Sequence, residues 1–140
     1  MVLLVTRMIR ATPERLFDAW TSPAELVKWW GPESVTCVGA EVDLRVGGSY
    51  RIGNRFPDGT LLWIAGEFEL VERPARLAYS WRIEPAQGAD ERVLVTFTAR
   101  GADTEVSVRH ERIGDETRRR RHEQGWRGCL AGLAQYAHNG

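Results

Sequence analysis

The sequence predicts an α+β protein: a curved antiparallel sheet of about seven strands wrapped around one long C-terminal helix, with two short helices after the first strand. Three observations predict it. Strand-like and helix-like stretches are segregated along the chain instead of alternating. About six strand-like segments follow one another, divided by Gly, Pro and Asp turns. A single long helical segment closes the chain, and a sheet with one helix to cover it must curl to bury its inner face.

Each element has a local cause. Residues 2–10 are rich in β-branched and apolar side chains and alternate towards their end, which reads as a strand. Thr12-Pro13-Glu14 is a helix start: a capping hydroxyl, a proline at the first helical position and an acid in the first turn. Leu16, Phe17 and Trp20 then fall at helical spacing. Ser22-Pro23-Ala24-Glu25 is a second start with capping-box spacing. Leu26, Trp29 and Trp30 continue its stripe, and Gly31-Pro32 stops it. Residues 35–45, 49–55 and 61–72 read as strands, divided by Gly47-Gly48 and by Pro57-Asp58-Gly59. In the third of these, Leu62, Ile64, Gly66, Phe68 and Leu70 share one phase, and Trp63 cannot be assigned to a face, because one bulge flips it. Pro74 and the loop Pro85-Ala86-Gln87-Gly88 bound the next strand, in which Leu77, Tyr79, Trp81 and Ile83 share a face. Residues 92–100 and 104–113 form a hairpin around Gly101-Ala102-Asp103, with Val106, Val108 and His110 on one side. The final helix, about 115–138, carries Trp126, Cys129, Leu130, Leu133 and Ala137 as its apolar stripe. Gly125, Gly128 and Gly132 within it point to close packing on the sheet or to a gap beneath the helix.

Composition narrows the class. The chain has 140 residues, which fits a single domain over 1–140. It is 43% apolar, with 19 basic and 19 acidic residues and no net charge. That balance argues against a nucleic-acid binder, and the absence of a long apolar run argues against a membrane span or leader. A cytoplasmic protein is the expectation. Cys37 and Cys129 lack CxxC spacing, so two free thiols are expected. The six Trp residues imply either a heavy core or a lined cavity.

The chemistry-bearing residues are few. His110 and His122 are the candidate catalytic acid/base groups, since both phases point inward and histidine titrates near neutrality. The bland alternative is a satisfied buried His110 and a solvated His122. Neither HExxH, a phosphate-binding glycine loop nor a nucleophile elbow is present, so no metal and no cofactor are expected. The run Arg118 to Arg121 sweeps round its helix and reads as a solvated start. Arg118, one turn before His122, is placed to reach a cavity mouth and meet an acidic ligand group. Tyr50, Phe68, Tyr79, Trp81, Phe97 and Trp126, with His110 and His122, form the candidate ligand-binding set lining a pocket between helix and sheet. Trp20, Trp29 and Trp30 read as packing in a helical lid.

Motifs running the whole length carry a family resemblance. They are residues 10–21 (RATPERLFDAWT), Pro23 with Trp29-Trp30-Gly31-Pro32, residues 43–51 (DLRVGGSYR), Asp58-Gly59 and Gly66-Glu67-Phe68. Residues 76–81 (RLAYSW), Thr104-Glu105-Val106, His110, Gly125-Trp126 and Leu130 complete them. In order and spacing the chain resembles the START-like (SRPBCC) superfamily, and within it the bacterial proteins similar to the C-terminal domain of the activator of heat-shock protein ATPase. The resemblance implies the helix-grip fold. It also implies a role in holding a small apolar or amphipathic molecule such as a lipid, a polyketide or an aromatic compound. Some superfamily members are cyclases, so an acid/base enzyme using His110 or His122 is the alternative. A chaperone-interacting module is the third, set back by the lack of room for the extra N-terminal domain of the eukaryotic namesake. The expected partner is therefore a small apolar molecule. A chaperone or a second copy of the chain stays open, and neither nucleic acid nor membrane is expected.

Overall fold

The computed structural model describes residues 1–31, 34–84 and 89–139. In chain order the elements are β1 (Leu3–Ile9), α1 (Pro13–Thr21), α2 (Pro23–Trp29), β2 (Thr36–Val42), β3 (Ser49–Arg55), β4 (Leu61–Glu72), β5 (Arg76–Glu84), β6 (Glu91–Arg100), β7 (Asp103–Glu111) and α3 (Glu116–Asn139). This is the helix-grip arrangement: one curled antiparallel sheet, in the order β1-β7-β6-β5-β4-β3-β2, with α3 against its inner face. The first strand pairs with the last, Leu3 opposite His110 and Ile9 opposite Thr104. Pro32 and the loop 85–88, expected as a helix stop and a turn, lie outside the described residues. No described helix is long and apolar enough to cross a membrane.

The helix starts work as their sequences imply. Thr12 Oγ1 accepts from the Arg15 backbone N–H at 3.1 Å. Ser22 serves two helices at once: its N–H donates to the Asp18 carbonyl, ending α1, and its hydroxyl accepts from the Glu25 N–H at 3.4 Å, starting α2. The two helices therefore meet with no linker, which fixes Trp20, Trp29 and Trp30 as one cluster over the sheet.

Curvature comes from irregularities in β2 and β4. The register shifts between Cys37 and Gly39 and between Phe68 and Leu70. Just before the second shift, a Cβ on Gly66 would lie 2.0 Å from the Ser80 carbonyl oxygen, so only glycine allows β5 to approach this closely. Beyond the shift, Val71 packs against the core and not Leu70, so the alternation expected through Leu70 is broken by one position. The face of Trp63 is also settled. Its neighbour Ile64 packs on the core, while the Arg51 guanidinium lies 4.3 Å from the Trp63 ring centre, which places Trp63 on the outer face.

The core runs the length of the sheet's inner face, with Phe17, Leu77, Val93, Val95, Val106, Leu130 and Leu133 fully or almost fully buried. Cys37 and Cys129 are both free and buried.

Candidate functional site

The N-terminal half of α3 does not sit flush on the sheet. Between it and β3, β4 and β5 lies a cleft of about 460 Å³. Arg118, Arg121, His122, Gly125, Trp126 and Cys129 line it from the helix. Those positions recur at three- and four-residue intervals and so share one helical face. The sheet side supplies Asn54, Leu62, Ile64, Trp81 and Ile83, with Phe56 beyond β3 and Trp30 and Val35 at one end. The walls are aromatic and aliphatic. Both cations come from the helix, and none of the described lining residues is a carboxylate. Cys129 offers no nucleophile, because burial pushes its thiol up to about 12.

Behind the cleft is a buried polar knot. Glu91 opens β6 at 3% exposure, and one carboxylate oxygen faces His110 Nε2 at 2.8 Å and His122 Nε2 at 3.0 Å. Its other oxygen accepts from Arg118 Nε. The two imidazoles stack with centres 4.1 Å apart. Burial alone would raise the Glu91 carboxyl, but the hydrogen bonds from the histidines and from Arg118 outweigh it and hold the group well below the usual carboxylate range. Glu91 is therefore an anion, and an anion only accepts.

That settles the His110 tautomer. Trp126 Nε1 donates to His110 Nδ1 at 2.9 Å, and an indole nitrogen only donates. His110 Nδ1 thus holds a lone pair, and its proton is on Nε2, directed at Glu91. Burial lowers the His110 pKa in keeping with this neutral form. His122 likewise directs its Nε2 proton at Glu91, and its Nδ1 has no partner among the described residues.

The same three side chains bring possible metal-ligating atoms within 4.8 Å of one another. These donors are already committed. A metal on His110 Nε2 would drive the ring proton to Nδ1, where the Trp126 N–H already points. The Arg118 cation also occupies the second carboxylate oxygen. The arrangement fits an ion cluster locked by hydrogen bonds.

The structure divides the expected ligand-binding set. Trp81, His122 and Trp126 line the cleft. His110 stands behind it, fully buried, with both ring nitrogens spent, which removes it as an acid/base group. Tyr50, Phe68 and Tyr79 depart from the expectation. They surround a separate void of about 10 Å³ towards the opposite end of α3, because Trp20 and Leu26 fill the space there. Phe97 also lies away from the cleft, against Phe17 and Trp20 at 5.7 and 5.9 Å. Trp30, expected only to pack, forms one end of the cleft, its Nε1 donating to Asn54 Oδ1 at 3.1 Å. Glu91 was missed altogether. Its signal is in the sequence: it shares a phase with Val93, Val95 and Phe97, so a carboxylate stands on an inward, otherwise apolar face. Trp81 carries a last oddity. Its indole N–H is buried and has no partner among the described residues.

Residues 10–138 match the model of the family described as Activator of Hsp90 ATPase homolog 1-like protein. Among solved structures, the chain is similar to protein CV1439 from Chromobacterium violaceum, at 28% identity over 97% of this chain and 96% of that one, with a TM-score of 0.89. It is similar to the AHSA1 protein from Silicibacter pomeroyi at 26% identity over 96% of each chain, with a TM-score of 0.82. It also shares the fold of DynU16, from the dynemicin biosynthetic locus, at 22% identity over 98% of this chain and 47% of that one, with a TM-score of 0.81. No curated protein matches it.

Proposed function

We infer that this chain, which belongs to the Activator of Hsp90 ATPase homolog 1-like family, binds a small apolar or amphipathic molecule in the cleft between α3 and the sheet. The observation that carries the reading is the cleft itself. Its volume of about 460 Å³ falls within the range of small-molecule sites, roughly 300–1,000 Å³. Its walls are aromatic, with a few convergent polar groups at one side. The fold commonly holds hydrophobic ligands, and DynU16 belongs to a biosynthetic locus.

Gly125 supplies the test. A Cβ there meets nothing within 4 Å, so Gly125→Leu fills the cleft without straining the helix. Native mass spectrometry of the chain from its own host should find a bound small molecule on the wild type and none on Gly125→Leu, at a melting temperature no lower than that of the ligand-free wild type. Bare wild-type protein, together with no thermal shift across a panel of lipids and polyaromatic compounds, would sink the reading.

A second reading, acid/base catalysis of the cyclase or dehydratase type, is favoured by one observation. His122 is backed by the Glu91 carboxylate in the manner of the His–carboxylate pairs that orient a general base. In that reading His122 alone is the base.

A further inference from the structure

We propose that the cleft takes a planar aromatic molecule bearing an acidic hydroxyl, a phenol or an enol, whose proton passes to His122 Nδ1 and whose oxyanion is held by Arg121. The proposal rests on the ligand-binding reading and names the class of that ligand. Three observations carry it.

The first is the direction of the His122 proton. With Nε2–H committed to Glu91, Nδ1 is the position of the ring left for a ligand. His122 Nδ1 has no partner among the described residues, and it is not among their sealed, unpaired buried atoms, so it stays open at the cleft wall. A neutral ring accepts a hydrogen at that position, and a ligand hydroxyl supplies one.

The second is the charge around that nitrogen. The ionisable groups facing His122 are Glu91 from β6, His110 from β7, and Arg118 and Arg121 from its own helix. Glu91 favours the imidazolium that forms when His122 takes a proton. Arg118 is spent on Glu91. Arg121, exposed and lining the cleft, is held by no carboxylate among the described residues and is left to meet an anion. From β5, His122 meets Trp81, an aromatic ring with no charge.

The third is the shape of the apolar part. Trp126 lies edge-on to Trp30 and tilted to Trp81, with ring centres 5.6 and 5.4 Å away. Aromatic walls set at such angles suit flat rings by stacking and edge contacts. In the step proposed, the ligand O–H bond breaks and an N–H bond forms at His122 Nδ1. The electron pair stays on oxygen beside Arg121, and the imidazolium lies between the Glu91 carboxylate and the new oxyanion. No other reactant is required.

The test uses 2-naphthol and 2-methoxynaphthalene with the full chain. Quenching of tryptophan fluorescence reads binding, and the naphtholate absorption band reads proton transfer. Wild type should bind 2-naphthol about tenfold more tightly than the methyl ether, the size of one hydrogen bond to a charged partner. The bound naphthol should show the naphtholate band at neutral pH. His122→Gln, which keeps a donor towards Glu91, should abolish the band and bring the two affinities within twofold. Arg121→Gln should reduce the naphtholate fraction several-fold. Because Arg121 is exposed, that variant decides the matter if His122→Gln does not fold. Equal binding of the two compounds by wild type, or a band that survives both substitutions, overturns this proposal and leaves ligand binding standing. Failure of wild type to bind either compound overturns this proposal, whereas the ligand-binding reading falls only on bare protein from the host with no thermal shift across the panel.

Discussion

The two ends of the helix–sheet interface are built from the same materials and finished differently. At the end where α2 covers the sheet, Tyr50, Phe68 and Tyr79 pack tilted or edge-on, with ring centres within 6.0 Å of one another, around a void of about 10 Å³. Both hydroxyls there are used: Tyr50 donates to the Ser80 carbonyl at 2.7 Å, and Tyr79 accepts from Trp20 Nε1 at 3.3 Å. At the other end, the first turns of α3 stand off the sheet over about 460 Å³. There an indole N–H has no partner among the described residues and a carboxylate is buried beneath two imidazoles. Packing and polar satisfaction agree at the closed end and conflict at the open one. Folding alone has no need of such a conflict, and rule-breaking of this kind concentrates at functional sites.

The largest test of that contrast compares truncations. Phe68→Ala at the closed end should cost about 3–5 kcal/mol, the range for deleting a buried ring whose neighbours cannot collapse. Ile83→Ala on the cleft wall should cost only about 1 kcal/mol, since that side chain is already half-exposed to the cleft. Urea unfolding with an unchanged m-value checks both. Similar losses at the two sites would mean that the cleft closes in solution. Next in size is Glu91→Gln. Removing the charge leaves Arg118 and two imidazole donors facing an amide, a loss of about 3 kcal/mol by analogy with broken buried ion pairs. Glu111→Gln, which breaks a pair with Arg92 near the surface, should stay within about 1 kcal/mol.

The closed end and the open end were also unequally legible. Segregated strands and helices, Pro and Gly punctuation and the two capping motifs carried the architecture, because each acts over a few residues. The pocket residues were harder. Tyr50, Phe68 and Tyr79 do face inward, as their alternation implies, but periodicity reports only the face and not which stretch of it a helix covers. Trp30 looked like packing and lines the cleft, since nothing local reveals that α3 stands off beside it. Leu70 was misphased by a bulge that shows only in the pairing with β5. Glu91 was legible and overlooked: it lies one residue before the expected strand start, in phase with Val93.

Acid should act on the open end first. The buried His110 has a folded pKa below its ordinary value of 6.5, so the unfolded chain takes that proton at higher pH than the folded one. Stability is therefore complete above about pH 6.5 and declines as pH falls towards the folded value, by at most about 1.4 kcal/mol per pH unit for one group. Glu91, held below its ordinary 4.5, adds a second decline once pH drops beneath that value. Both run in the same direction. Melting temperatures measured from pH 8 to pH 4 should fall below about pH 6.5. His110→Gln should be less stable throughout but flatter between about pH 6.5 and the onset of carboxylate titration. An equally steep decline in the variant would assign the acid sensitivity to other groups.

The smallest effect separates the two ends within a single helix. Gly125 and Gly132 both lie in α3, two turns apart, and glycine in a helix interior costs up to about 1 kcal/mol relative to alanine. Propensity alone would make alanine stabilising at both. The surroundings split them. A Cβ at Gly125 enters open space over the cleft, whereas one at Gly132 would sit 2.9 Å from the Trp29 carbonyl oxygen, a backbone atom held at the end of α2. Gly125→Ala should therefore gain a few tenths to about 1 kcal/mol. Gly132→Ala should lose about 1–3 kcal/mol as α3 is pushed off α2. Thermal denaturation of the two variants reads this directly. A gain at both positions would mean that α3 rides loosely along its whole length. A loss at both would mean that the gap under Gly125 is closed in solution, and with it the space on which the ligand-binding reading depends.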